Sequence, residues 1–189
     1  MDRPRLLDGS RICAGDVILG LPSSGLHTNG YSLARRILFE VMGLAAEAPI
    51  PDVGDQKSVV EHLLAVHRTY LPPLKPLLSD PRLKGLAHIT GGGLTDNLPR
   101  ILPDGLAAHI DLSSWQVPPL FQVLQDAGGV AQDEMLRVFN MGVGMTLVVD
   151  PAACDDVQAA LRESGERPWV LGHIAESPEG GVIYGAGDG

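Results

Sequence analysis

The loop from Gly20 to Gly30 carries the side chains that are best suited to chemistry in this chain. It reads GLPSSGLHTNG, with an apolar run before it and a helical pattern after it. His27 titrates near neutral pH, so it is a candidate general acid or base, or a hydrogen-bond donor to an oxyanion. The glycines permit close approach of a ligand to the backbone, and further donors come from Ser23, Ser24, Thr28 and Asn29. The alternative is a strand–helix turn with only a capping role.

A second glycine-rich loop, His88 to Gly93, has the same organisation. An apolar strand pattern leads into three successive glycines and then into a helical pattern that begins near Thr95 or Asp96. Successive glycines lose much chain entropy on folding, which makes sense where a bulky anion must touch the backbone. The Thr90 hydroxyl is a further donor, whereas a flexible turn is the alternative. His88 lies on a strand and could face either way; by composition alone we expect a hydrogen-bonded histidine of the core or its rim.

Other polar groups give weaker signals. Asn140 is the one polar side chain in a glycine-punctuated approach to a strand, and it is a candidate for a cleft wall; packing alone is the alternative. His62 and His67 are five residues apart, so they do not share a helix face as a metal-binding pair would. Cys13 and Cys154 lack metal-ligand spacing. We therefore predict no metal site.

Composition excludes several classes of function. The chain has 189 residues, a formal net charge of −9 and no basic run, so we expect no nucleic-acid or membrane partner. No stretch approaches the roughly 20 apolar residues of a membrane span. The start of the chain, residues 1–5, has no apolar core and does not resemble a signal peptide. Two reduced thiols fit a cytoplasmic protein.

Strand and helix patterns alternate along the chain, which predicts one layered α/β domain of the α+β type, with a mixed β-sheet flanked by helices. Asn29 or Ser32 is the expected cap of the first helix, and Asp96 or Asn97 that of the helix after the second loop. Strands are predicted over 16–21, 86–90, 105–112, 144–149 and 169–176, with an edge strand over 180–185. Helices are predicted over 31–42, 57–70, 95–101, 118–127, 132–139 and 151–163.

Three long segments resemble, in order, signatures of the C-terminal domain of phosphoribosylformylglycinamidine cyclo-ligases, also called aminoimidazole ribonucleotide synthetases. They are residues 15–33, 87–100 and 134–145, and residues 172–174 fit the family's ending. Formylglycinamidine synthase, selenophosphate synthetase, thiamine-monophosphate kinase and a hydrogenase maturation factor share this domain. The third segment favours the cyclo-ligases among these ATP-using enzymes.

The resemblance implies a PurM C-terminal-domain-like fold, with an interdomain remnant at 1–14, the domain at 15–178 and a tail at 179–189. It implies an ATP-dependent ligase of purine biosynthesis that turns formylglycinamidine ribonucleotide into aminoimidazole ribonucleotide, ADP and phosphate. ATP and Mg²⁺ are expected mainly on an N-terminal domain that this chain lacks, so the isolated chain is expected to be inactive. A homodimer is possible. The alternatives are a non-catalytic binding fragment and another enzyme of the superfamily, such as a small-molecule kinase.

The resemblance also implies roles for single residues. The first loop is expected near the reacting amide or the transferred phosphoryl group, and the triple glycine near the phosphate of the ribonucleotide. One stretch departs from the family pattern: His67 replaces the usual threonine and Pro72 the usual lysine, although Arg68 and Tyr70 remain. The expected catalytic residues are His27 and Asn29, and the expected substrate- or phosphate-binding residues are Ser23, Ser24, Gly25, Thr90, Gly91, Gly92, Gly93 and Asn140.

Overall fold

A six-stranded mixed sheet forms the centre of the computed structural model, which describes residues 6–185. Its strand order is β2-β4-β1-β5-β3-β6, antiparallel throughout except for the parallel pair β3 and β6. The predicted mixed sheet and its edge strand are thus confirmed. The strands are β1 (Val17–Pro22), β2 (Leu83–His88), β3 (Leu106–Asp111), β4 (Val143–Val149), β5 (Trp169–Glu176) and β6 (Gly181–Gly185).

Seven α-helices flank this sheet within residues 6–185. They are α1 (Tyr31–Arg35), α2 (Val59–Leu63), α3 (Leu71–Leu74), α4 (Gly93–Asn97), α5 (Pro119–Gly128), α6 (Gln132–Val138) and α7 (Cys154–Glu163). None of these described helices has the length and apolar character needed to cross a membrane. Residues 1–5 of the expected remnant and residues 186–189 of the expected tail lie outside the described residues.

Both faces of the central strands are buried, because side chains alternate between the faces with a period of two. Ile18 points into a cluster that includes Leu94 of α4. Its neighbour Leu19 points into the opposite cluster, which includes Leu161 of α7. A third cluster joins α1, α2, α5 and α6, and it contains Leu26 of the first glycine loop. This third cluster is what holds that loop against the helices.

The predicted helix over 57–70 is wrong beyond its first turns. Ser58 and Glu61 form a capping box that starts α2, but the helix ends at Leu63. Residues 64–70, here called the strap, contain no helix. Its partners are distant in sequence: the Arg68 amide lies 3.4 Å from the His27 ring, and the Arg68 guanidinium pairs with Glu166 at 2.8 Å. These tertiary contacts override the local helical preference.

The first predicted helix, over 31–42, is divided in two. After α1 the chain continues as a π-helix over Arg36–Val41, where the Met42 amide donates to the carbonyl of Ile37. Neither Asn29 nor Ser32 caps α1, as had been expected; the N-cap is Gly30, in a left-handed conformation. A Cβ there would lie 2.4 Å from the Phe139 ring, so packing and backbone geometry both require glycine.

Candidate active site

His27 lies in the turn between β1 and α1, and only 2% of it is exposed. Both His27 and Thr28 have positive φ, at 51° and 61°, a conformation that is uncommon outside glycine and often marks a functional turn. The neighbouring Asn29 side chain donates to the carbonyl of Ile89, 3.2 Å away. That bond ties the first glycine loop to the end of β2, where the second loop begins.

Backbone amides fix the protonation of the His27 ring. Its Nε2 atom lies 3.0 Å from the Ser24 amide nitrogen and 3.4 Å from that of Arg68. An amide can only donate, so Nε2 accepts and we assign the ring proton to Nδ1. This Nδ1 is buried and has no hydrogen-bond partner among residues 6–185. Burial first, then nearby His67, His88 and Arg68, lower the pKa of His27 to about 4. At neutral pH the ring is therefore an uncharged donor that lacks an acceptor.

The buried neutral ring predicts a loss of stability in mild acid. An unfolded histidine titrates near pH 6.5, whereas folded His27 titrates near 4. Between these values the unfolded chain binds more protons, so the free energy of unfolding decreases as the pH falls. Urea titrations at pH 7 and pH 5 should show a smaller decrease for His27→Asn than for the unchanged chain. His173→Ala, at an exposed histidine, should behave like the unchanged chain; an equal decrease in His27→Asn would contradict the assignment.

Three histidines from different elements meet at this point. The ring of His67, on the strap, stacks on that of His27 with centroids 4.7 Å apart, and the ring of His88, at the end of β2, lies 6.4 Å away. Their ring nitrogens come within 4.8 Å of one another. We call these three residues the histidine cluster. No periodic pattern in the sequence indicates this cluster, because its members lie 40 and 21 residues apart and only the fold brings them together.

The strap is held in place by Arg68 and Tyr70. The Tyr70 hydroxyl donates to the carbonyl of Pro22 at 2.8 Å, and burial raises its pKa, so the phenol stays protonated. Its ring packs edge-on against His27. Gly144 of β4 makes the room, since a Cβ there would lie 1.9 Å from the Tyr70 oxygen. Together with the Arg68 ion pair, these contacts position the strap over His27.

Asn97 organises the triple-glycine loop, a role that the sequence did not reveal. Its side-chain nitrogen donates to the carbonyl of Gly93 at 2.8 Å and lies within 3.3 Å of those of Thr90 and Gly91. The Thr90 hydroxyl in turn donates to Asn97 at 3.0 Å, so it is engaged inside the loop. The cap of α4 is Gly92, with φ of 100°, and not Asp96 or Asn97 as expected. Gly91 is exposed.

Asn140 is fully buried rather than on a cleft wall. Its side-chain oxygen accepts from the Gly142 amide at 2.8 Å and from the Ser23 hydroxyl at 3.2 Å, and its nitrogen donates to the carbonyl of Gly25 at 2.8 Å. Asn140 therefore joins the first glycine loop to the start of β4 by hydrogen bonds. We call these three hydrogen bonds the Asn140 clip, and Ser23 and Gly25 take part in it.

Removing the clip is expected to destabilise the fold. Asn140→Ala leaves a buried amide and a carbonyl without partners, which should lower the free energy of unfolding by about 2–4 kcal/mol. Gln122→Ala is the matched control, because the exposed Gln122 side chain donates to Asp126 four residues further along the same helix; it should change stability by less than about 0.5 kcal/mol. Equal urea midpoints for the two variants would contradict the role of Asn140.

The third of the segments named above, residues 134–145, packs against both glycine loops; the three segments are called the first, second and third motifs below. A Cβ on Gly30 would lie 2.4 Å from the Phe139 ring, and one on Gly93 would lie 2.0 Å from the carbonyl oxygen of Leu136. The Asn29 side chain also bonds to the carbonyl of Ile89, just before the second loop. The three sequence motifs therefore lie next to one another in the fold.

Comparison with known proteins identifies the domain. Residues 14–185 match the family described as AIR synthase related protein, C-terminal domain. The phosphoribosylformylglycinamidine cyclo-ligase of Trichlorobacter lovleyi is 49% identical over 174 residues, which cover 92% of this chain and 49% of that protein. The chain spans about half the length of the curated relatives it matches.

Two solved structures share the fold at lower identity. The match to thiamine-monophosphate kinase from Stenotrophomonas maltophilia has a TM-score of 0.67 at 19% identity. It covers 100% of this chain and 56% of the kinase chain. The match to hydrogenase maturation protein HypE in complex with ATP has a TM-score of 0.56 at 21% identity. It covers 93% of this chain and 49% of the HypE chain. The predicted fold class is confirmed, and the match over residues 14–185 shows that this chain belongs to the AIR synthase related family, as its C-terminal domain.

Proposed function

We propose that this chain is the substrate-side half of an ATP-dependent cyclo-ligase of purine biosynthesis, which converts formylglycinamidine ribonucleotide into aminoimidazole ribonucleotide, ADP and phosphate. One observation carries the proposal: three motifs distant in sequence converge on a buried, neutral His27, whose Nδ1–H has no acceptor in the part of the chain that the structure describes. The cyclo-ligase names of its relatives support the choice of reaction.

The proposed chemistry has two steps. The formyl oxygen of the substrate attacks the γ-phosphorus of ATP, and ADP leaves. A substrate nitrogen then attacks the activated carbon, the ring closes, a proton is lost and the oxygen departs with the phosphate. Negative charge gathers on the departing ADP oxygen in the first step and on the departing phosphate oxygen in the second, and a fixed neutral donor stabilises such charge without reorganisation. His27 Nδ1–H is that donor, and Asn29 holds the turn that carries it against the second loop.

The ribonucleotide phosphate is proposed to bind at the triple-glycine loop. A Cβ on Gly91 would meet nothing within 4 Å, so the backbone is open to a ligand there. The Asn97 side chain donates to the carbonyls of Gly91 and Gly93 on one side of this loop. We propose that the anion binds on the other side of the loop. Thr90 contributes by bracing Asn97 rather than through a free hydroxyl.

Mg²⁺ does not fit the residues that this chain offers. Among residues 6–185, the potential metal-ligand side chains that converge in a group of three are those of the histidine cluster. These side chains offer nitrogen atoms, whereas Mg²⁺ prefers oxygen ligands. We derive no step through Mg²⁺ here, and we propose that ATP and its metal bind mainly outside this domain. Both cysteines are free, as in a reducing compartment, and we place the reaction in the cytoplasm.

Substrate choice tests this proposal against a kinase of the same superfamily. The chain, fused behind the N-terminal half of a cyclo-ligase, should release ADP with formylglycinamidine ribonucleotide and not with thiamine monophosphate. Phosphorylation of thiamine monophosphate would favour the kinase. The isolated chain should bind the ribonucleotide weakly without releasing ADP, and binding without turnover in the fusion would favour a non-catalytic binding domain.

A further inference from the structure

The histidine cluster has a feature that the proposed reaction does not use: its three imidazoles converge on one point. Ring nitrogens of His27, His67 and His88 lie within 4.8 Å of one another, and the last two side chains are exposed. From this geometry we propose that the cluster binds one divalent transition-metal ion of the Zn²⁺, Co²⁺ or Ni²⁺ class. This inference is independent of the proposed function.

The donor set selects the class of metal. Three neutral imidazoles suit Zn²⁺, Co²⁺ and Ni²⁺, whereas Mg²⁺ and Ca²⁺ require oxygen ligands. Two nitrogens on one tetrahedral Zn²⁺ lie about 3.4 Å apart, given Zn–N bonds of about 2.0–2.1 Å. Closing the gap from 4.8 Å needs rotation of the exposed His67 and His88 rings, while buried His27 stays in place. Three protein ligands leave the fourth position open to water, as in zinc sites with three protein ligands generally.

His27 can ligate through Nδ1 if its proton moves to Nε2. The Ser24 hydroxyl oxygen lies 2.9 Å from Nε2 and itself donates to the carbonyl of Val66 at 2.7 Å. It can therefore accept the relocated proton's hydrogen bond, and metal-bound histidines commonly donate their other ring N–H in this way. The Ser24 and Arg68 amides oppose this tautomer, so we expect weaker binding than in a structural zinc site.

His67 is the member of the cluster that the strap supplies. It approaches the cluster by stacking on His27 and contacting the Thr28 hydroxyl at 3.1 Å. A bound ion would occupy the His27 nitrogen that is assigned above as a donor. Metal binding and hydrogen-bond donation by that ring nitrogen would therefore exclude each other.

Cobalt absorption provides the test on the full 189-residue chain. Titration with Co²⁺ should give a visible d–d spectrum that saturates at one ion per chain, and Zn²⁺ should displace it while millimolar Mg²⁺ should not. His67→Thr and His88→Ala should each weaken binding by roughly tenfold or more. Both positions are exposed, so these variants should fold. His173→Ala is the control, because it removes an exposed histidine that stacks on another, His109.

Long-range ¹H–¹⁵N spectra give a second readout of the same site. The ring proton of His27 should sit on Nδ1 without metal and on Nε2 after Zn²⁺ is added. Loss of the cobalt spectrum in His67→Thr with retention in His173→Ala supports the site. The proposed site would be overturned by full Co²⁺ affinity in His67→Thr or by loss of the cobalt spectrum in His173→Ala. An unchanged His27 tautomer on saturation with Zn²⁺ would overturn it as well.

Discussion

Replacing His27 with alanine is expected to lower kcat by more than about tenfold when this chain is fused behind the N-terminal half of a cyclo-ligase. The substitution removes a buried N–H that the backbone orients and that has no acceptor among residues 6–185. KM should change less than kcat, because the negative charge on the departing oxygen develops only in the transition state.

A comparison with asparagine distinguishes a donor from a base. In His27→Asn the side-chain amide can place an N–H near the former Nδ1, so this variant should recover part of the rate that His27→Ala loses. A general base would not be replaced by an amide. His173→Ala should leave kcat unchanged. An unchanged kcat in His27→Ala would refute the catalytic role, and equal losses in the alanine and asparagine variants would refute the donor.

Gly93→Ala is expected to cost at least about 3 kcal/mol of folding stability. The position has φ of 58°, and a Cβ there would lie 2.0 Å from the carbonyl oxygen of Leu136 and 2.8 Å from that of Phe139. Both neighbours are backbone atoms of the third motif, so they cannot turn aside as a flexible side chain would. The second glycine loop would have to separate from α6.

Gly129→Ala is a matched control for this substitution. Gly129 has the same φ of 58°, but a Cβ there would meet nothing within 4 Å. It should therefore show only the cost of the left-handed backbone, about 1–2 kcal/mol. Urea unfolding of the two variants separates the close contact from the conformational strain. Equal losses of stability would show that the packing of Gly93 against the third motif contributes little.

The strands could be predicted because they are short apolar runs between glycine and proline turns. The predicted strand over 169–176 matches β5 in both bounds, and the other strands agree to within a few residues. The strap could not be predicted. Residues 64–70 have helical composition, but their conformation is set by partners as distant as Glu166. Local sequence carries no information about such partners.

Candidate residues were predictable by type more than by role. A histidine in a glycine-rich turn is visible in the sequence, and so is a triple glycine. That Asn140 is buried as a clip, and that Asn97 rather than Thr90 organises the second loop, depends on side-chain directions that only the fold determines. The histidine cluster is of the same kind, since its members come from a turn, the strap and a strand end.

Release of ADP shows whether this chain and an N-terminal half act together as a cyclo-ligase. Formylglycinamidine ribonucleotide and ATP are supplied to this chain alone, to the N-terminal half of a cyclo-ligase alone, and to the two together or fused. We predict ADP and aminoimidazole ribonucleotide in equal amounts only when both halves are present. Turnover by this chain alone, or no turnover by a folded fusion that binds the ribonucleotide, would contradict the account.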